Sequence, residues 1–149
     1  MPDTREEILD RLVAIAAEVP GVALAGRNRV GLSETARPGI IVLDADEAAE
    51  EEERASRPGH APQLVVMTPE LFVLAGKPAA EIGAELNAFR WRIVRRVLTD
   101  AALLGLAGPN GFVRYAGCAT ALAAGRSMEG EMSLSFAIRY VLRPVEVED

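Results

Sequence analysis

Met132-Ser133-Leu134-Ser135-Phe136-Ala137-Ile138-Arg139-Tyr140-Val141-Leu142 carries the plainest structural signal in the chain. Met132, Leu134, Phe136, Ile138, Tyr140 and Leu142 fall on one side of a two-residue repeat, with Ser133, Ser135, Ala137, Arg139 and Val141 on the other. Side chains of a strand alternate between faces, so the run reads as one long strand with a single face on a core.

The partners of that face lie upstream. Ile8, Leu12, Ile15 and Val19 recur at helical spacing, widened by Leu9, Val13 and Ala16, and predict a first helix from about Arg5 to Glu18. Thr4 and Glu7 have the spacing of a capping box, and Pro20-Gly21 ends the helix. Ile82, Leu86, Phe89, Ile93 and Val97 form the stripe of a second helix, entered through Pro78 and reaching about Leu98. A shorter helical piece from Asp100 to Leu106 stops at Gly108-Pro109-Asn110-Gly111.

The strands are less uniform. Val22–Ala25 reads as a short one, and Ile40-Ile41-Val42-Leu43 as one covered on both faces. Leu64–Met67 and Leu71–Ala75 read as a single strand broken by Pro69, which has no ladder donor and so marks an edge or a bulge. A further strand is expected within Phe112–Leu122, with a hairpin connection over Gly125–Gly130. The order α-β-β-β-α-β-β implies an α+β fold: a mixed, mostly antiparallel sheet of four to five strands with two main helices on one face.

At 149 residues the chain fits one domain, 1–149, and a domain of that size buries roughly 70% of its unfolded surface. The single cysteine, Cys118, cannot form an internal disulfide, and a reducing compartment is the simpler reading. The N-terminus is too charged for a secretory signal, and the longest apolar stretch is broken by Thr68, Pro69 and Glu70, so no membrane partner is expected. The net charge of −6 is uneven: Asp44, Asp46, Glu47, Glu50, Glu51, Glu52 and Glu53 account for seven of 22 acidic residues, leaving 15 against 16 basic ones. Residues 44–62, which end in Arg57-Pro58-Gly59-His60-Ala61-Pro62, therefore read as a long acidic loop. This balance does not favour a sustained hold on nucleic-acid phosphates.

Catalytic chemistry finds little support. His60 has no Ser or Cys beside it and reads as a solvated loop residue, whereas Cys118 reads as a buried, inert thiol. Asp44-Ala45-Asp46-Glu47 lacks the spacing and the glycine of a calcium loop. The glycines at 105, 108, 111 and 117 have neither phosphate-loop nor dinucleotide spacing. No enzyme, cofactor or metal site is expected. The sharper candidates are Arg92, Arg95 and Arg96 with Trp91, beside Arg90, on the second helix. Three readings stay open for these arginines: a solvated face, contact with nucleic acid, or pairing with carboxylates of the chain or of a neighbouring subunit. Trp91 is either an interface anchor or a core residue.

Val19-Pro20-Gly21-Val22, Arg27-Asn28-Arg29, Ile40 to Asp44, Met67-Thr68-Pro69-Glu70 and Gly125-Arg126-Ser127-Met128-Glu129-Gly130-Glu131-Met132 together resemble the tail terminator, or minor tail protein U-like, family of long-tailed bacteriophages and phage-derived particles. The resemblance implies a structural virion protein of the tail, assembled in the bacterial host cytoplasm. It implies a ring of copies of the chain, commonly a hexamer, that caps the tail tube protein, stops its polymerisation and meets a head-completion protein. DNA would be passing cargo only. In such a ring the acidic loop would line the lumen and repel phosphates, face outward, or dock on a neighbour's Arg92, Arg95 and Arg96. The alternatives are another neck, head-tail joining or baseplate subunit and, from a different class, a ligand-binding regulatory α+β module.

Overall fold

The computed structural model describes residues 3–29, 36–50, 59–77, 79–121 and 130–145. Its elements run α1 (Thr4–Glu18), β1 (Leu24–Arg27), β2 (Gly39–Ala49), β3 (Gln63–Leu74), a 3-10 turn (Ala79–Glu81), α2 (Ile82–Thr99), α3 (Ala101–Ala107), β4 (Phe112–Ala121) and β5 (Glu131–Leu142). The five strands form one sheet in the order β1-β2-β3-β5-β4. β1 runs parallel to β2, and every other pair is antiparallel. This is the expected α+β fold, and the shorter helical piece expected from Asp100 to Leu106 is α3.

One face of the sheet carries most of its buried side chains. Ile40 and Val42 of β2, Val65, Met67, Leu71 and Val73 of β3, and Met132, Leu134, Phe136, Ile138 and Tyr140 of β5 join one buried cluster. Ile8, Leu12 and Ile15 of α1, Leu86, Phe89 and Ile93 of α2, and Leu103 of α3 complete it. The alternation read in β5 is thus the alternation observed, and Leu142 alone of its apolar face stays partly exposed. Ile41, on the opposite face of β2, is buried as well, so that run is covered on both sides.

Three local readings change. The N-cap of α1 is Asp3, one residue before Thr4, and its Oδ1 accepts the Arg5 N–H at 3.0 Å. Pro69 does not break β3, nor is β3 an edge, for it lies between β2 and β5. The bulge reading holds instead: the β2 register slips between Leu43, which pairs with Glu70, and Asp46, which pairs with Thr68. The β3–β5 ladder skips the same place, from Met67 opposite Ile138 to Glu70 opposite Ser135, so the missing Pro69 donor falls where the pairing on both sides is interrupted, and a central strand tolerates it there. The third change concerns residues 44–62. Asp44–Ala49 continue β2, and the Glu50 N–H still bonds the Leu64 carbonyl at 3.0 Å. Asp, Glu and Ala are poor strand formers, but a long partner strand imposes the pairing on them. Pro78, the 125–129 hairpin and Glu51, Glu52 and Glu53 lie outside the described residues.

Helix α1 ends as expected, with Gly21 at φ 89° turning the chain after Pro20. Asp100 then organises the corner where α2 meets α3. Its carboxylate caps α3 through the Leu103 N–H at 2.9 Å and takes both arms of Arg11 from α1, at 2.8 and 2.6 Å. The Arg11 hydrogen bonds hold the Asp100 carboxyl below its ordinary range; burial works against them and the Leu103 N–H adds to the lowering. A lowered folded pKa means that the contribution is complete above the unfolded value of about 3.9 and is lost as pH falls through the folded value. Asp100→Ala is predicted to cost about 1–2 kcal/mol at pH 7. Urea midpoints at pH 7 and pH 3 test this, because the gap between wild type and variant should narrow at the lower pH. A gap of the same size at both would remove the carboxylate from the account.

Candidate subunit interface

Charge is arranged along α1, with acids at its N-terminal end and arginines at its C-terminal end. At the N-terminal end Arg27 of β1 acts as a clamp. Its guanidinium donates to Glu6 at 2.5 and 2.9 Å and to both oxygens of Asp44 at 2.8 and 2.9 Å, with Asp10 at 3.5 Å. Arg27 holds the Asp44 carboxyl below its ordinary range, opposed by burial and helped by Asn28. Asp44 and Glu6 in turn raise the Arg27 guanidinium further above its own. Arg5 of α1 donates to the Ala45 carbonyl at 2.9 Å, where the bulge places Ala45 at φ 55°.

The remaining described acids are mostly engaged too. The hydroxyl of the buried Tyr140 donates to Glu47 at 2.5 Å, and burial, followed by that hydrogen bond, pushes the phenol above its ordinary range. Glu50 accepts from Arg139 at 3.2 Å, and Arg139 lies over the Phe112 ring and donates to the Asn110 carbonyl. Asp46 is exposed. The start of the acidic segment is therefore a fastened strand rather than a mobile, self-repelling loop. Asp44, Glu47 and Glu50 have their partners within the chain.

The other end of α1 is basic. Trp91 is 58% exposed, so the core reading of this residue is overturned. Arg95 lies over its indole at 5.6 Å. Arg92 donates to the Pro20 carbonyl at 3.2 Å and rests on Phe89, while Arg96 stands 3.9 Å from Glu18 with both side chains largely in solvent. Pro20, Trp91, Arg92, Arg95, Arg96 and Thr99 enclose a surface hollow of about 350 Å³. Arg90 belongs elsewhere, since it donates to the Tyr115 hydroxyl at 3.2 Å against β4. Helical spacing already separates Arg90 from the outward-facing Trp91 and Arg95, and was the signal that could have divided the cluster.

Cys118 is exposed rather than buried. Its register opposite Leu134 points it to the helix side, but β4 is the sheet edge and its outer half extends past cover. His60 is also exposed. It precedes Gln63, which pairs with Leu142, so eight residues of β5, about 27 Å, separate its end of the sheet from the Leu134 partner Cys118. The two are not brought together. Among the described residues no three His, Cys, Asp or Glu side chains converge as a metal ion would require, and no helix is long and apolar enough to cross a membrane. No family model matches the chain, and no curated protein matches it.

Proposed function

We propose that the chain is a structural virion subunit that joins copies of itself in a ring at the head-proximal end of a phage tail tube, ending tube polymerisation and offering a surface to a head-completion protein. The observation that carries the assembly part is Trp91. A large indole held out in solvent beneath Arg95, beside two further arginines, has the composition of an interface anchor. The place of that assembly, the tail, rests on the sequence resemblance. Electron microscopy of the purified protein with tail tubes tests both. Rings, or tubes capped at one end, are expected, and uncapped tubes beside a monodisperse monomer would overturn the reading.

A second reading, a ligand-binding regulatory module, draws on a hollow of about 550 Å³ lined by residues that include Phe89, Ala84, Ala88, Lys77, Glu85 and Arg92. Two of its polar groups already serve the fold. Glu85 accepts the Gly76 and Lys77 N–H groups, and Arg92 holds Pro20. That leaves few free polar groups to orient a small molecule, and assembly is the better supported function.

A further inference from the structure

Resting on the ring reading, we propose that the Trp91–Arg95 face of α2 in one copy packs on the Glu6–Asp10 face of α1 in the next, joining the copies head to tail through their helices.

The first support is charge left over on each face. Glu6, Asp10 and Asp44 share the single guanidinium of Arg27, while Arg5, the other cation nearby, faces Glu47. Three carboxylates around one arginine leave a negative surplus, and the Glu6 and Asp10 side chains are mostly in solvent. On α2, Arg90 is held by Tyr115, Arg92 by Pro20, and Arg96 stands beside Glu18. Arg95 lies over the exposed Trp91 ring, and no described carboxylate pairs with it. A guanidinium over a ring face keeps its N–H donors for a carboxylate, so this face lacks the partner that the other has to spare.

The second support is direction. One flank of α1 carries Arg11 and Glu18, which reach Asp100 and Arg96; the other carries Glu6 and Asp10, which reach Arg27 of β1. β1 is one edge of the sheet, whereas α2 rests through Arg90 on Tyr115 of β4, the opposite edge. The acids therefore lie across α1, a helix about 10 Å in diameter, from the chain's own α2. The α2 of a neighbour set beside the β1 edge meets them directly. The spacings also match. Trp91 and Arg95 are one helical turn apart on the exposed side of α2, away from the buried stripe from Ile82 to Val97. On α1, Asp10 stands one turn after Glu6 and one turn before the small Ala14. With the two helices antiparallel, Arg95 reaches Asp10 while the Trp91 indole lies over Ala14, which has no long side chain to hold it off. Each partner uses a different surface, and a repeated contact of that kind closes into a ring. With a net charge of −6 on the whole chain, a carboxylate partner also fits Arg95 better than a phosphate backbone does.

The test is a charge exchange in the full chain, read by sedimentation velocity at low and at about 0.5 M salt. Arg95→Glu and, separately, Asp10→Arg should each weaken self-association about tenfold or more, and the two changes in one chain should restore it to within a few-fold. High salt should weaken the wild type. Trp91→Ala, which leaves every charge in place, should also weaken association about tenfold. Thermal midpoints within about 2 °C of wild type show each variant folded, and Asp10→Asn stands in for Asp10→Arg if that chain does not fold. Unaffected single variants, no recovery in the double exchange, or a wild-type species that stops at a dimer would each overturn the joint. So would loss of single-stranded oligonucleotide binding by Arg95→Glu with self-association intact, which would assign the face to nucleic acid. Tail tubes added to the same samples separate the two readings. Rings or capped tubes formed equally by wild type and every variant remove this joint and leave the ring; a wild-type monomer beside uncapped tubes removes both. Rescued association without capping keeps the joint and removes the tail role.

Discussion

Phe136→Ala is expected to lower the unfolding free energy by about 3–5 kcal/mol. Phe136 is fully buried at the middle of β5, and its ring meets Tyr115 of β4 at 5.8 Å between centroids. β5 lies between β3 and β4, so its helix-facing side chains touch residues drawn from both ends of the sequence. Removing the ring loses the transfer free energy of an aromatic side chain and leaves a cavity whose walls are strands held by ladders on both sides. Such walls collapse poorly, which places the cost toward the upper part of the range. For a chain of this length the loss corresponds to a fall in thermal midpoint of about 10 °C. Calorimetry of the two proteins measures it directly. A loss under about 1 kcal/mol would mean that the ring is not part of a close-packed core.

The second large effect is expected at Gly111, where the limit is space and not φ. A Cβ built there would stand 2.2 Å from the Ala107 carbonyl oxygen and 2.2 Å from that of Arg139. Both atoms are backbone, one in the last residue of α3 and the other in β5. Relief therefore requires moving an element, since no side chain can simply rotate away. Gly111→Ala is predicted to destabilise the domain by about 3 kcal/mol, at the upper end for overpacking. The control is Gly83→Ala in α2, where an added Cβ meets nothing within 4 Å. There the change should be neutral or should stabilise by up to about 1 kcal/mol, because alanine restricts the unfolded chain and suits a helix. Equal midpoints for the two alanine variants in urea would refute the close approach at Gly111.

The contrast between those glycines is also a contrast in what can be read from a chain. Gly108-Pro109-Asn110-Gly111 marks a stop on chemistry alone, and a stop is found there. That the last glycine lies between a helix end and a strand 28 residues away is a fact of packing. The candidate interface divides similarly. Arg92, Arg95, Arg96 and Trp91 are one group by spacing, and their outward direction follows once the stripe from Ile82 to Val97 is buried. Trp91 lies outside that stripe, and only the packed helix shows that no other described element covers it. Cys118 was misread for the same reason: small neutral neighbours look like a core strand until the strand turns out to be an edge.

Local rules suffice for β5, α1 and α2, because their apolar periods are long, so that each residue's face depends only on its own element. The stretch from Asp44 to Glu50 is different. Its charges repel one another along the chain, and read alone they make a loop. Arg27, Arg5, Tyr140 and Arg139 reach it from β1, α1 and β5, and the register of β3 holds its backbone. Electrostatic and ladder energies of that kind are set by neighbours distant in sequence, and only the folded chain brings them within hydrogen-bonding range.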